Sequence, residues 1–132
     1  MLSNSIQATL NLNNLRAAGV KIAIDDFGAG YSSLSRLDKT PADILKIDRS
    51  IVKDCDKYDG NTVILKSLSS LAGIHGFELV AEGVETYEEL QALRQCNVDM
   101  LQGFVLARPM QAHELESRQN RSPKELKARL AC

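Results

Sequence analysis

Cysteine is scarce: Cys55, Cys96 and Cys132 are widely spaced and odd in number, which excludes a closed disulfide framework and a CxxC metal knuckle and leaves reduced structural thiols. Neither charge sign is in excess. Lys and Arg number 16 against 17 Asp and Glu, a formal net charge of −1, so no global field steers nucleic acid or anionic lipid, and a phosphate-bearing ligand must be held by a local site. Long apolar runs are also missing. Stretches such as Phe77 to Ala81 are broken by charge and fall far short of the ~20 residues that span a bilayer. No basic segment followed by an apolar one opens the chain. These absences predict a cytoplasmic protein whose segment here touches neither nucleic acid nor membrane, with any anchor lying upstream. Histidine is limited to His75 and His113, both in helical stretches away from strand ends, and both read as structural.

What is present is ordinary globular material. With 44% hydrophobic and 25% charged residues over 132 positions, the chain is long enough to bury a core and reads as one domain, 1–132. Residues Ser3 to Ala18 place Ile6, Leu10 and Leu15 near one helical face, and Gly19 stands where a left-handed cap belongs. Val20 to Ile24 reads as a strand ending at the loop Asp25-Asp26-Phe27-Gly28-Ala29-Gly30, and Ser32 to Asp38 as a short helix. Ile44 to Ile47 is a second strand. Asn61 to His75 is a helix with Ile64, Leu68, Leu71 and Ala72 in phase, closed by Gly76.

Phe77 to Ala81 is the third strand, after which Thr86 and Glu89 form a capping box for a helix through Leu93, with Asn97 a helix-ending residue. Val98 to Leu101 is the fourth strand. From Met110 onward two short helices are expected, separated near Asn120, the last started by Ser122, Pro123 and Glu125. Arg118, Arg121, Lys124, Lys127 and Arg129 in that tail read as a solvated helix face. No internal repeat or interdomain linker is visible. Strands alternating with helices require crossover connections, and so an α/β fold with a parallel sheet.

Each strand ends in polar groups: Asp25 and Asp26, Lys46 and Asp48, Glu82 and Glu85, and Gln102. The carboxyl ends of parallel strands carry the active site in barrels and open α/β sheets. Five acids, a lysine and an amide make an oxygen-rich pocket suited to Mg²⁺ or Mn²⁺ rather than zinc. Adjacent acids cannot both face inward along a regular strand, yet at a strand end the backbone turns and both can approach one centre. Alone, the Asp25-Asp26 pair reads equally well as a turn capping the helix near Ser32. Gly28 and Gly30 permit unusual backbone angles and close ligand approach.

These residues carry a resemblance to the EAL-domain family. Asp25-Asp26-Phe27-Gly28-Ala29-Gly30-Tyr31-Ser32-Ser33-Leu34 resembles its DDFGxGYSSL segment, Lys46-Ile47-Asp48-Arg49-Ser50 its KIDRS, and Ala81-Glu82-Gly83-Val84-Glu85-Thr86 its AEGVET. Gln102-Gly103-Phe104, followed by Arg108-Pro109-Met110, is similar to its QG[YF] and closing Pro-Met. The motifs fall in the family's order over residues 1 to 112, with a helical tail at 113–132.

The resemblance implies parallel (β/α) units forming about half of a TIM-like (β/α)8 barrel, and hydrolysis of the bacterial second messenger cyclic di-GMP to linear pGpG by two Mg²⁺ or Mn²⁺ ions. It implies Asp25, Asp26 and Glu82 as metal ligands, Lys46 beside the attacking water, and Glu82 as the glutamate assigned a general-base role. Glu85 and Gln102 are implied as further catalytic-site residues, and Gly28, Gly30, Asp48 and Pro109 as substrate-binding. The signature Glu-Ala-Leu, a metal-binding asparagine and a further glutamate belong before residue 1 in the family pattern. The expectation is that this chain alone is inactive and partners the family's N-terminal half or a second copy. The alternative is a non-catalytic half-barrel that binds nucleotide weakly or mediates association. Four strands of an eight-stranded design also predict apolar strand residues partly exposed to water.

Overall fold

A computed structural model describes residues 2–29, 37 and 40–119, and the side chains of 6–29, 37 and 40–117. Gly30, the expected helix from Ser32 to Asp38 apart from Leu37, the segment beginning at Ser122, and Cys132 lie outside the described residues. The elements run α1 (Leu2–Ala17), β1 (Ala23–Phe27), β2 (Ile44–Ile47), α2 (Arg49–Val52), α3 (Asp59–His75), β3 (Glu78–Glu82), α4 (Tyr87–Gln95), β4 (Met100–Gln102) and α5 (Ala112–Gln119). The four strands form one sheet in the order β1-β2-β3-β4, every neighbouring pair parallel.

Local chemistry sets the helix ends. Gly19 and Gly76 follow α1 and α3 at φ 88° and 74°, and the Gly76 N–H donates to the Ala72 carbonyl, the left-handed cap that glycine adopts without a Cβ clash. At the start of α4 the Glu89 N–H donates to Thr86 Oγ1 while the Thr86 N–H donates to Glu89 Oε2, a complete capping box. Asn97, just beyond that helix, takes φ 55°.

Strand alternation divides the sheet into two faces. Leu45 and Ile47 of β2 and Leu79 and Ala81 of β3 share one face and have no exposed surface. With Phe27 they join Leu65, Leu68 and Ala72 of α3 and Leu90 and Leu93 of α4 in one core. The other face carries Ile44 and Lys46, and Glu78, Val80 and Glu82, aligned by the pairs Ile44↔Glu78 and Lys46↔Val80. Aspartates pin the amino ends of the strands: Asp43 Oδ2 accepts the Ile22 N–H at 2.8 Å and Asp99 Oδ2 accepts the Leu79 N–H at 2.8 Å. Arg16 of α1 forks onto Asp43, with Nη2 2.7 Å from Oδ1.

The structure corrects several expectations. β1 begins at Ala23 and continues through Asp25, Asp26 and Phe27 instead of ending before them, because the chain keeps pairing with β2 past the acids. Ile64 faces solvent and Leu65 is the buried residue; one position is 100° of helical phase, enough to rotate the apolar stripe. The expected exposure of apolar strand residues holds in part: Leu45, Ile47, Leu79 and Ala81 are covered by α3 and α4, while Ile24 and Ile44 are half-buried and Ala23 and Met100 are exposed. Further apolar surface lies open on α1, where Ile6, Leu10 and Leu15 are 61%, 51% and 46% exposed, and at Phe104 just beyond β4. Among the described residues no helix is long and apolar enough to cross a membrane.

Candidate functional site

The acids of β1 reach one centre through a bulge. Ile24 pairs with Leu45 and Phe27 with Ile47, so β1 advances three residues where β2 advances two. The extra residue is accommodated with Asp26 at φ 52°, the left-handed region that aspartate tolerates better than most side chains. The bulge breaks the alternation that would otherwise send consecutive side chains to opposite faces. Asp25, Asp26 and Glu82 each offer a carboxylate oxygen, and these oxygens lie within 4.8 Å of one another.

Lys46 sits among them. Its Nζ is 2.9 Å from Asp25 Oδ1 and 2.7 Å from Glu82 Oε1, a diagonal contact that the β2–β3 register creates by placing Lys46 opposite Val80, two residues before Glu82. The hydrogen bond to Asp25 first, and that to Glu82 second, hold the ammonium charged well beyond the ordinary lysine range. The same Lys46 bond holds the Asp25 carboxyl below the usual carboxylate range. Three hard oxygen donors within reach of one point fit Mg²⁺ or Mn²⁺, which prefer carboxylates and water.

The remaining sequence candidates divide between this rim and its supports. Gln102 pairs in register with Glu82, so strand alternation puts both on the same face, and it is exposed there. Glu85 Oε1 is 2.8 Å from Arg49 Nη2. Asp48 caps α2, its Oδ1 accepting the Ser50 N–H at 2.9 Å, and those Ser50 bonds keep its carboxyl low. Gly28 takes φ 102°, and a Cβ there would lie 2.1 Å from Ile51 Cδ1, so its missing side chain makes room for Ile51. Pro109 lies on the exposed stretch between β4 and α5.

The sequence reading missed the roles of two residues that support the rim. Arg49 lies inside the KIDRS-like segment, yet its partner Glu85 and the bare backbone of Gly83, where a Cβ would lie 2.7 Å from Arg49 Cγ, become visible only in three dimensions. Glu89 was legible as half of a capping box, but its carboxylate also accepts N–H groups from Asp54 and Glu85. Asp54, Asp56 and Glu89 form a second close group of acids. There the Glu89 oxygens are committed to main-chain donors and Lys57 pairs with Asp54.

Comparison with known proteins identifies the family and the fold. The EAL domain family matches residues 1–109. The cyclic di-GMP phosphodiesterase NbdA of Pseudomonas aeruginosa is 38% identical over 116 residues, covering 88% of this chain and 15% of that protein. The crystal structure of the EAL domain of Mycobacterium smegmatis DcpA superposes with a TM-score of 0.83 at 40% identity, over 90% of this chain and 54% of that one. The manganese/cy-diGMP complex of Klebsiella pneumoniae BlrP1 superposes with a TM-score of 0.73 at 42% identity, over 78% of this chain and 26% of that one. The chain thus spans about half of a solved EAL domain and a smaller share of its longer relatives. Its parallel four-stranded sheet is part of a TIM-barrel-like architecture, and the chain belongs to the EAL domain family.

Proposed function

We propose that this chain supplies the C-terminal half of a cyclic di-GMP phosphodiesterase barrel, opening the cyclic dinucleotide to linear pGpG. The observation that carries the reading is the convergence of Asp25, Asp26 and Glu82 around Lys46 at the carboxyl ends of three parallel strands. In this reading Asp25, Asp26 and Glu82 hold Mg²⁺ or Mn²⁺. Bound divalent ions would lower the pKa of water and offset charge on the phosphodiester.

The chain's own groups do the rest. Hydrolysis adds a water oxygen to phosphorus, breaks one P–O ester bond and returns a proton to the leaving ribose oxygen. Glu82, an acceptor on the inner face, takes the proton from the water. Lys46 brings positive charge to a phosphate oxygen or orients the water through its Nζ. Arg49 holds Glu85 at the rim, and Gln102, beside Glu82 in register, offers an amide donor to the substrate. Asp48 shapes the loop after β2 by capping α2, while Gly28 and Pro109, with Gly30 by its motif alone, are assigned to substrate binding. In this reading the protein works in the cytoplasm.

The family's remaining ligands lie in a segment equivalent to its N-terminal half, supplied upstream on the same polypeptide or in trans. Complementation tests the proposal. Alone with Mn²⁺, the 132-residue chain should turn over cyclic di-GMP far more slowly than the ~1–10³ s⁻¹ of ordinary enzymes. Mixing with an EAL N-terminal half should restore hydrolysis, and Asp25→Asn or Glu82→Gln should remove it again. Ordinary rates from the chain alone, or near-normal rates in those variants, would sink the assignment. A second reading, a non-catalytic half-barrel acting in association, draws on the exposed apolar face of α1.

A further inference from the structure

The geometry points to Glu89 as a positioning residue for the rim, an inference that rests on reading that rim as a metal and phosphodiester site. We propose that its carboxylate, acting through main-chain N–H groups, clamps the loop after β3 to the segment after α2. Glu82 and Glu85 are thereby held in place relative to Lys46 and Arg49.

A capping box asks of its acidic member one acceptor oxygen for the N-cap N–H. Glu89 does more. Oε2 accepts from Thr86 N at 3.1 Å and also from Glu85 N at 2.9 Å, while Oε1 accepts from Asp54 N at 3.0 Å, 35 residues earlier in the chain. The side chain is buried, with 4% of its surface exposed, and a buried carboxylate persists only where donors replace its lost water. The bond from Asp54 is not needed to start α4. It reaches a residue at φ 55°, in the left-handed region that aspartate tolerates better than most side chains, and it ties that turn to α4.

The two tied segments are those that bring the site together. Asp54 closes the α2 region, which opens at Asp48 and Arg49 directly after Lys46 and Ile47 of β2. Glu85 stands three residues beyond Glu82. At the solvent side the segments meet again through Arg49 and Glu85, 2.8 Å apart, and through the Arg49 side chain lying over Gly83. That exposed ion pair is screened by water. The buried carboxylate, accepting charge-assisted hydrogen bonds from backbone of both segments, is the stiffer fastening.

Glu89→Gln in the full chain separates this role from capping. Glutamine keeps the size and one acceptor oxygen, which can serve Glu85 and Thr86, while its NH₂ then faces the Asp54 N–H donor to donor, so the Asp54 tie is lost. Thr86→Ala is the control: it removes the side-chain cap of α4 and leaves the Asp54 bond. Mn²⁺ binding, followed by water-proton relaxation, and hydrogen exchange of the Asp54 amide are read beside Tm. Glu89→Gln should weaken Mn²⁺ about tenfold and speed exchange at Asp54, while Thr86→Ala should lower Tm with Mn²⁺ affinity unchanged. If wild type binds Mn²⁺ and the two variants weaken it alike, or neither does, Glu89 is only a cap and the inference is overturned. If the wild-type chain takes up no Mn²⁺ even when complemented by an EAL N-terminal half, the metal-site reading itself fails and the inference falls with it.

Discussion

The Lys46 ammonium lies 2.7 Å from Glu82 Oε1, and its other contact, Asp25 Oδ1, is 2.9 Å away. A cation tethered between two carboxylates competes with any divalent ion for the same oxygens. Replacing Lys46 with Met removes the competitor and leaves the acids in place. The Lys46→Met chain should bind Mn²⁺ more tightly than wild type by calorimetric titration, although hydrolysis by the complemented barrel should fall. Weaker Mn²⁺ binding would mean that the lysine orders the carboxylates more than it competes for them.

Two glycine substitutions should act with opposite sign. A Cβ on Gly103 would lie 2.0 Å from the Val84 carbonyl oxygen and 2.4 Å from its nitrogen, contacts that only backbone movement relieves. Gly103→Ala should therefore cost about 1–3 kcal/mol. Gly73 lies within α3 with nothing near its Cβ position, so Gly73→Ala should stabilise by roughly 0.5–1 kcal/mol. Urea denaturation of the two variants measures both.

Glu89 also sets an acid limit to stability. Burial opposes its ionisation, but the N–H groups of Asp54, Glu85 and Thr86 outweigh that and hold its carboxyl below the ordinary glutamate value. An unfolded glutamate titrates near ~4.3. Because the folded value is lower, this stabilisation is fully present above the unfolded value and is lost as pH falls through the folded one. The neighbouring Asp54 carboxylate opposes the effect without reversing it. The urea midpoint of wild type should fall more steeply than that of Glu89→Gln as pH drops below about 4.3, and parallel curves would contradict the assignment.

The buried thiols should be inert. Cys55 and Cys96 have at most 1% of their surface exposed, and burial, reinforced by the charges of Glu89 and Asp56, pushes the Cys55 thiol up to about 11. Burial likewise raises Cys96. A thiol whose folded pKa is raised favours the fold below its unfolded value of about 8.5, and that contribution is lost as pH rises through the folded value. Iodoacetamide at pH about 8 should label Cys55 and Cys96 only after unfolding, as peptide mapping would reveal. Labelling in the native state would show that this region opens.

The apolar face of α1 should matter to association more than to folding. Leu10 is 51% exposed, so Leu10→Gln should shift the stability of the chain by no more than about 0.5 kcal/mol. The same change should reduce self-association in sedimentation velocity at high protein concentration. A large loss of stability would place Leu10 in a core that the exposed helix does not suggest.

Local chemistry was readable in the amino-acid order because it acts within a few residues. Gly19 and Gly76 end helices, Thr86 and Glu89 cap one, and alternating strands and helices announce a parallel sheet whose polar strand ends gather at one rim. Those features, with the four family motifs, were enough for the fold class and for the association of Asp25, Lys46, Glu82 and Gln102. Tertiary structure decided what depends on distant partners. The bulge that turns Asp25 and Asp26 toward one centre arises from the mismatch of β1 against β2, a register invisible within Ala23–Phe27 itself. Leu65 displaced Ile64 from the core because the sheet, and not the helix, chooses which stripe is covered. Glu89 acquired Asp54 as a partner 35 residues away, because a carboxylate buried by packing must take its donors from whichever backbone the fold brings alongside.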